Sequence, residues 1–141
     1  MIVLDTNVLS ELMRADPDPV VLAWLDTTPA SELATTAVTA AELRYGVARL
    51  PTGQRRTMLV GAIEGVLGED LAGRVEPFDS DASTRYAEIV VGRERLGRPI
   101  AMADAQIAAI CLARGHRLAT RNTKDFDGTG VDLINPWRRG T

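Results

Sequence analysis

The first nine residues constrain the fold more than any other stretch, because an apolar run ends abruptly in an acid. Residues 1–4 are all apolar, residues 5–7 are polar and cap-forming, and apolar residues at positions 8, 9, 12 and 13 follow at helical spacing. This pattern predicts a buried strand, a tight turn and the start of a helix. A continuous apolar run is typical of parallel sheets, so Asp5 is predicted at the C-terminal edge of a central strand, where open α/β sheets bind ligands. On this stretch alone, Asp5 or Asn7 could equally serve only as a helix cap.

Strands and helices are predicted to alternate along the whole chain, which indicates an α/β sandwich with a mainly parallel sheet. The helices are expected from apolar residues spaced three and four apart, and the strands from short apolar or β-branched runs. The predicted strands are 1–4, 32–38, 74–78, 117–120 and 131–134, and the predicted helices are 7–14, 20–27, 39–48, 54–71, 79–96 and 103–113. No repeat or linker is visible, so residues 1–141 are predicted to form one domain.

The composition predicts a soluble cytoplasmic protein. Apolar residues make up 45% and charged residues 25% of the chain, as in ordinary globular proteins. The single cysteine, Cys111, leaves no partner for an internal disulfide. The start lacks the basic segment of a signal peptide, and no apolar run approaches the roughly 20 residues that a membrane span needs.

The net charge of −3 argues against a protein that binds DNA through a basic surface. That balance depends on few side chains, since metal binding by four of the 19 acidic residues would leave the rest of the chain at +1. The remaining surface would then not repel a nucleic acid.

Three further acids stand where strands end or helices begin. Glu42 follows the second predicted strand and has the capping-box spacing to Thr39. Asp104 is the exception in a helix of almost entirely small or apolar residues, and acids are almost never fully buried without a partner. Asp125 follows the fourth predicted strand. Capping explains Glu42 adequately, but it offsets too little of the cost of burying Asp104.

In a parallel sheet these positions gather at one edge, so Asp5, Glu42, Asp104 and Asp125 are predicted to lie together. At ~4 Å and an effective dielectric of about 20, one carboxylate pair repels by ~4 kcal/mol. A hard divalent cation with oxygen ligands would remove that repulsion. Since no histidine or cysteine is placed among these acids, Mg²⁺ or Mn²⁺ is predicted in preference to Zn²⁺.

Four motifs in sequence resemble the PIN-domain nucleases. In order and spacing they are most similar to the VapC- and FitB-type toxins of bacterial toxin–antitoxin pairs, and the resemblance covers essentially the whole chain, including Asn135-Pro136-Trp137. The motifs are Leu4-Asp5-Thr6-Asn7-Val8, Ala40-Ala41-Glu42-Leu43, Ala103-Asp104-Ala105-Gln106-Ile107-Ala108-Ala109 and Thr120-Arg121-Asn122-x-x-Asp125-Phe126.

The resemblance implies a PIN-like three-layer fold and an endoribonuclease that depends on Mg²⁺ or Mn²⁺. It also implies a homodimer held inactive by a small antitoxin. Any DNA contact is expected to come through the antitoxin, because the chain lacks a basic recognition helix. Asp5, Glu42 and Asp104 take the metal-binding and catalytic positions. Some relatives carry the fourth acid where this chain has Asn122, so Asp125 is the available carboxylate for that position. Thr120 and Asn7 are expected to support the site.

The residues also favour metal-assisted hydrolysis, because His116 is the single histidine and no His–His or Lys–His pair exists for a metal-free ribonuclease. Arg98, Arg121 and Lys124 flank the acids and are candidates to hold the RNA backbone.

Two alternatives stay open at this point. The first is phosphotransfer through an aspartyl phosphate, although Asn7 stands where a haloacid-dehalogenase-like enzyme has its second Asp. The second is a catalytically inactive PIN-like binding module in a DNA-binding regulatory complex with an antitoxin. The intact acidic set weighs against the second, because a scaffold has no need of that repulsion.

Overall fold

The computed structural model, which describes residues 1–138, contains a sheet of five parallel strands in the order β3-β2-β1-β4-β5. The strand at its centre, β1, pairs Val3 with Ala34 on one side and with Leu118 on the other. The predicted mainly parallel sheet is therefore confirmed. The strands are β1 (Ile2–Leu4), β2 (Leu33–Thr36), β3 (Val75–Glu76), β4 (Arg117–Ala119) and β5 (Leu133–Ile134).

Helices cover both faces of this sheet and make three layers. Val3 and Leu4 are consecutive residues of β1, but they pack into different apolar cores because successive strand side chains point to opposite faces. Leu4 belongs to the core that includes Leu9 and Leu43, and Val3 to the core that includes Ile110. The helices are α1 (Thr6–Leu12), α2 (Pro19–Asp26), α3 (Ala37–Ala48), α4 (Gln54–Glu64), α5 (Ser80–Arg95) and α6 (Met102–Arg114). Within residues 1–138, none of these helices is long and apolar enough to span a membrane.

Helix α3 begins earlier than the sequence predicts. Thr36 caps it, and the Thr36 side chain accepts a hydrogen bond from the Thr39 backbone N–H at 3.0 Å. The predicted capping box between Thr39 and Glu42 is therefore wrong, because Thr36 already fills the cap position. Val38 is β-branched, so the sequence predicted it as the last residue of the strand, but it lies in the first turn of the helix.

The predicted helix over 54–71 is wrong in its last third. Helix α4 ends at Glu64, and Gly65–Asp70 continues as a wider π-helical turn. The Leu71 backbone N–H accordingly donates to the Val66 carbonyl, five residues back, at 2.9 Å. The widened turn buries both Leu67 and Leu71 in the same apolar core.

The buried side chain of Arg93, in the last turn of α5, fixes the loops at the C-terminal edge of the sheet. Its Nε donates to the Arg98 carbonyl at 2.7 Å. Its Nη1 donates to the carbonyls of Asp125 and Asp127 at 2.9 and 3.0 Å. One guanidinium thus joins the loop before α6 to the segment that follows β4.

Replacing Arg93 should therefore destabilise the fold. Arg93→Met leaves three carbonyls without their donor, and we expect the free energy of unfolding to fall by about 3 kcal/mol. The matched control is Arg95→Met, the same change at an exposed position of the same helix, with an expected effect within about 0.5 kcal/mol. Urea unfolding followed by circular dichroism measures both. Equal stability of the two variants would contradict the structural role of Arg93.

Candidate active site

Three of the four predicted acids line one cavity of about 460 Å³ at the C-terminal edge of the sheet. Asp5 directly follows β1, Glu42 lies in the second turn of α3, and Asp104 lies in the first turn of α6. Helix α6 starts at this edge because it leads to β4, whose first residue pairs with the first residue of β1 at the opposite edge. The other lining residues are Thr6, Asn7, Ser10, Glu11, Arg14, Arg121, Asn122 and Trp137.

Asp5 is buried and held by three donors. The Thr6 backbone N–H donates to Oδ1 at 2.8 Å, so Asp5 also caps α1. The Thr120 hydroxyl donates to Oδ2 at 2.8 Å, and the Asn7 side-chain amide donates to the same oxygen at 3.3 Å. Burial raises the pKa of Asp5, the hydrogen bonds from Thr120 and Thr6 lower it, and the negative charge of Glu42 raises it. The same Asp5 carboxylate therefore caps α1 and lines the cavity.

The Thr6 side chain connects Glu42 to this network. The Thr6 hydroxyl donates to Glu42 Oε1 at 2.8 Å and lies 3.1 Å from the Thr39 hydroxyl. Glu42 is exposed, yet this hydrogen bond keeps its carboxylate on the cavity wall beside α1.

Asp104 carries the clearest electrostatic signature of the site. Its pKa is raised to about 6 by burial and by the charges of Asp5, Asp125 and Glu42, while Arg93 opposes the shift. Among residues 1–138, no basic side chain forms an ion pair with Asp5, Glu42 or Asp104. Apart from the effect of Arg93 on Asp104, no ion pair among the described residues offsets the repulsion between these carboxylates, as expected of a site that holds a cation.

The structure does not bring the side chain of Asp125 into the cavity wall. Asp125 is exposed in the short 3₁₀ helix Thr123–Phe126, which the buried side chain of Phe126 anchors to the core. Its charge still acts on Asp104. Asn122 does line the cavity, and its backbone N–H donates to the Thr120 hydroxyl at 3.1 Å. The fourth acidic position stays a prediction.

The donor set fits a hydrated divalent cation better than a closed metal cage. Residues 1–138 contain no group of three or more His, Cys, Asp or Glu side chains that could hold a metal ion. Mg²⁺ keeps several of its waters and is typically bound through one or two carboxylates. Asp5, Glu42 and Asp104 are carboxylate donors around one cavity and satisfy that requirement, whereas Zn²⁺ would prefer histidine or cysteine.

Some residues of the cavity wall were missed by the sequence argument. Glu11 is buried and accepts from Arg14 Nη1 at 3.0 Å and from the Asp18 backbone N–H at 3.0 Å. The signal was present, because Asn7, Glu11 and Arg14 recur at helical spacing and so form one polar face of α1.

Of the three predicted flanking cations, Arg121 alone lines the cavity, while Arg98 pairs with Asp127 at 3.2 Å.

Comparison with known proteins gives consistent matches over nearly the whole chain. The PIN domain family matches residues 2–131. VapC ribonuclease Y4jK of Sinorhizobium fredii is 50% identical over 97% of this chain and 98% of the relative. Toxin FitB of Neisseria gonorrhoeae is 40% identical over 97% of this chain and 99% of the relative. The structure of FitAB bound to an IR36 DNA fragment superposes with a TM-score of 0.91 at 39% identity, covering 98% of this chain and 96% of that chain.

The raised pKa of Asp104 makes the stability of the metal-free protein depend on pH. Between its ordinary value of 3.8 and about 6, the folded protein holds a proton on Asp104 that the unfolded chain has released. Stability from this group is therefore present at the acid end of that window and is lost as the pH rises. Asp104→Asn should flatten this decline in urea unfolding measured with EDTA from pH 4 to pH 7. Parallel curves for the variant and the wild type would contradict the assigned environment of Asp104.

Proposed function

Because this chain belongs to the PIN-domain family, we propose that it is an endoribonuclease toxin of the VapC and FitB type, which hydrolyses RNA phosphodiester bonds with Mg²⁺ or Mn²⁺. One observation carries the chemical part of the proposal: Asp5, Glu42 and Asp104 line one cavity without any basic ion-pair partner among the described residues. An identity of 50% to a VapC ribonuclease along nearly the full length supports the substrate class.

The chain's own groups would hold the cation and set its pH dependence. When bound, the cation supplies an activated water and stabilises the charge that develops on the phosphate. Asp5 is fixed for this role by Thr120, Asn7 and the Thr6 backbone, so its carboxylate does not need to reorganise. Asp104 has a pKa of about 6 and must lose its proton before it binds, so we expect metal affinity to increase from pH 5 to pH 7.

The two alternatives from the sequence fit the cavity less well. A haloacid-dehalogenase-like phosphotransfer site needs a second Asp two residues after the nucleophile, but that position is Asn7, whose amide donates to Asp5. A receiver-like site needs a lysine, and the cavity wall contains none among the described residues. An inactive binding module gains nothing from keeping Asp5 and Asp104 at raised pKa.

We further propose that a small antitoxin protein binds this chain and that DNA is contacted through the antitoxin. The DNA complex of FitAB supports this arrangement, and the net charge of −3 does not favour direct DNA binding by the toxin.

A homodimer is consistent with the large apolar side chains that stay exposed on the helices, among them Tyr45, Met58, Val60, Leu96 and Met102. The protein would act in the cytoplasm, where its RNA substrate is found.

The cleavage reaction tests the proposed function. Antitoxin-free protein is incubated with an end-labelled RNA panel in Mg²⁺, in Mn²⁺ or in EDTA. We expect discrete cuts that need metal and that fall at least about 100-fold in Asp104→Asn, since metal catalysis supplies several kcal/mol. The matched control, Asp81→Asn, makes the same change at an exposed acid of α5 and should cut at the wild-type rate. Cutting that persists in EDTA, or equal cutting by Asp104→Asn, would contradict the proposal.

The fourth acidic position is tested by metal binding. If Asp125 supports the cation through its charge, Asp125→Asn should weaken Mn²⁺ binding about tenfold in calorimetry, as is typical of groups just outside the ligand shell. Asn122→Ala, in the cavity wall, should change the affinity much less because it removes no charge. The reverse order of the two variants would assign the fourth position to Asn122.

A further inference from the structure

Arg121 and Trp137 form a stacked pair on the wall of the acidic cavity. The Arg121 guanidinium carbon lies 5.1 Å from the centre of the Trp137 ring, and both residues line the cavity that contains Asp5. The sheet brings these two residues into contact, because β4 and β5 are adjacent parallel strands in which Ala119 pairs with Ile134. Arg121 follows the end of β4, and Trp137 follows the end of β5.

The position of this pair is tied to the acids by hydrogen bonds. The Arg121 backbone N–H donates to Asn7 Oδ1 at 3.1 Å, and the same Asn7 side chain donates to Asp5 and to Thr120. On the other side, the Trp137 backbone N–H donates to Asn135 Oδ1 at 2.9 Å. Arg121 is therefore positioned by a residue of the site, and Trp137 by the turn that follows β5.

The charge of Arg121 remains available for an anionic ligand. The other arginine of the cavity wall, Arg14, is paired with the buried carboxylate of Glu11. Arg121 is exposed, and no carboxylate among residues 1–138 pairs with it, although Asp5, Glu42 and Asp104 line the same cavity. The guanidinium rests on an indole face, which is an attractive contact, and no side chain or carbonyl among residues 1–138 accepts a hydrogen bond from its N–H groups.

We propose that Arg121, supported by Trp137, forms a nucleotide subsite for single-stranded RNA beside the acids, an inference that rests on the proposed ribonuclease function. A guanidinium supported in this way offers two kinds of contact. Its N–H edge donates to a phosphate, and its outer face stacks on an unpaired base. A base in a duplex is already stacked and cannot make the second contact, so the pair selects single strands. Since Arg14, the other arginine of the cavity wall, is paired with Glu11, Arg121 supplies the positive charge that lets a phosphodiester approach the acids.

The experiment separates binding from cleavage by leaving out the metal. In a Trp24→Phe background, Trp137 is the single tryptophan of the chain, so its fluorescence reports on this wall of the cavity. The full-length protein is titrated in EDTA at low salt with a labelled single-stranded RNA oligonucleotide, and with the matching duplex. Fluorescence of Trp137 and anisotropy of the label are both recorded.

We expect a saturable change in Trp137 fluorescence with the single strand and binding at least about tenfold weaker in Arg121→Ala, because stacking on one base contributes that much. Trp137→Leu should weaken binding in the same way, and Trp137→Phe should restore most of it by keeping a ring. The matched control is Arg49→Ala, which removes the other guanidinium–ring pair among the described residues, 5.6 Å from the Tyr45 ring and outside the cavity wall.

Several results would overturn the subsite. These are unchanged affinity in Arg121→Ala, an equal loss in Arg49→Ala, or equal affinity for the duplex. Failure of this inference and failure of the proposed function are distinguishable. Binding in EDTA that needs Arg121, without any cleavage in Mg²⁺ or Mn²⁺, would keep the subsite and reject the nuclease. Metal-dependent cleavage that does not need Arg121 would do the opposite.

Discussion

Electrostatic repulsion between carboxylates at one edge of a parallel sheet is the constraint on which this structure depends. Asp5, Glu42 and Asp104 come from three separate parts of the chain, yet the sheet topology directs all three to one cavity. Burial and mutual repulsion raise the pKa of Asp5 and of Asp104. A protein that only needed to fold would place a basic side chain or an apolar one here. The uncompensated arrangement becomes reasonable when a divalent cation belongs to the functional state.

Small polar side chains make that arrangement tolerable in the metal-free protein. The hydroxyl of Thr120 and the amide of Asn7 donate to Asp5, and the hydroxyl of Thr6 donates to Glu42. These donors are neutral, so they hold the carboxylates in place without removing the negative charge that a cation would meet. Arg93 contributes differently, because its guanidinium binds backbone carbonyls of the surrounding loops and acts on Asp104 only at a distance.

The sequence predicted much of the site because some residues conflict with their surroundings. Asp104 stood out since it is an acid in a helix of small and apolar residues, and Asp5 since it ends a buried apolar run. The start of α3 was misplaced because Thr36 and Thr39 can both cap a helix, and local sequence does not choose between them. The contact between Arg121 and Trp137 was not predicted, because it depends on which strands are neighbours. Asp125 was assigned by its position after a strand, but the 3₁₀ turn that follows determines where its side chain goes.

The central claim is that a divalent cation binds in the cavity that these acids line. Substoichiometric Mn²⁺ tests it most directly, through paramagnetic broadening of amide resonances in the metal-free protein. The account predicts that the signals of Thr6, Leu43 and Ala105, next to the three acids, broaden first and together. It also predicts that Asp104→Asn weakens the effect at all three positions. Broadening that begins instead at exposed acids elsewhere, such as Glu69 or Asp81, or that is unchanged in Asp104→Asn, would contradict the account.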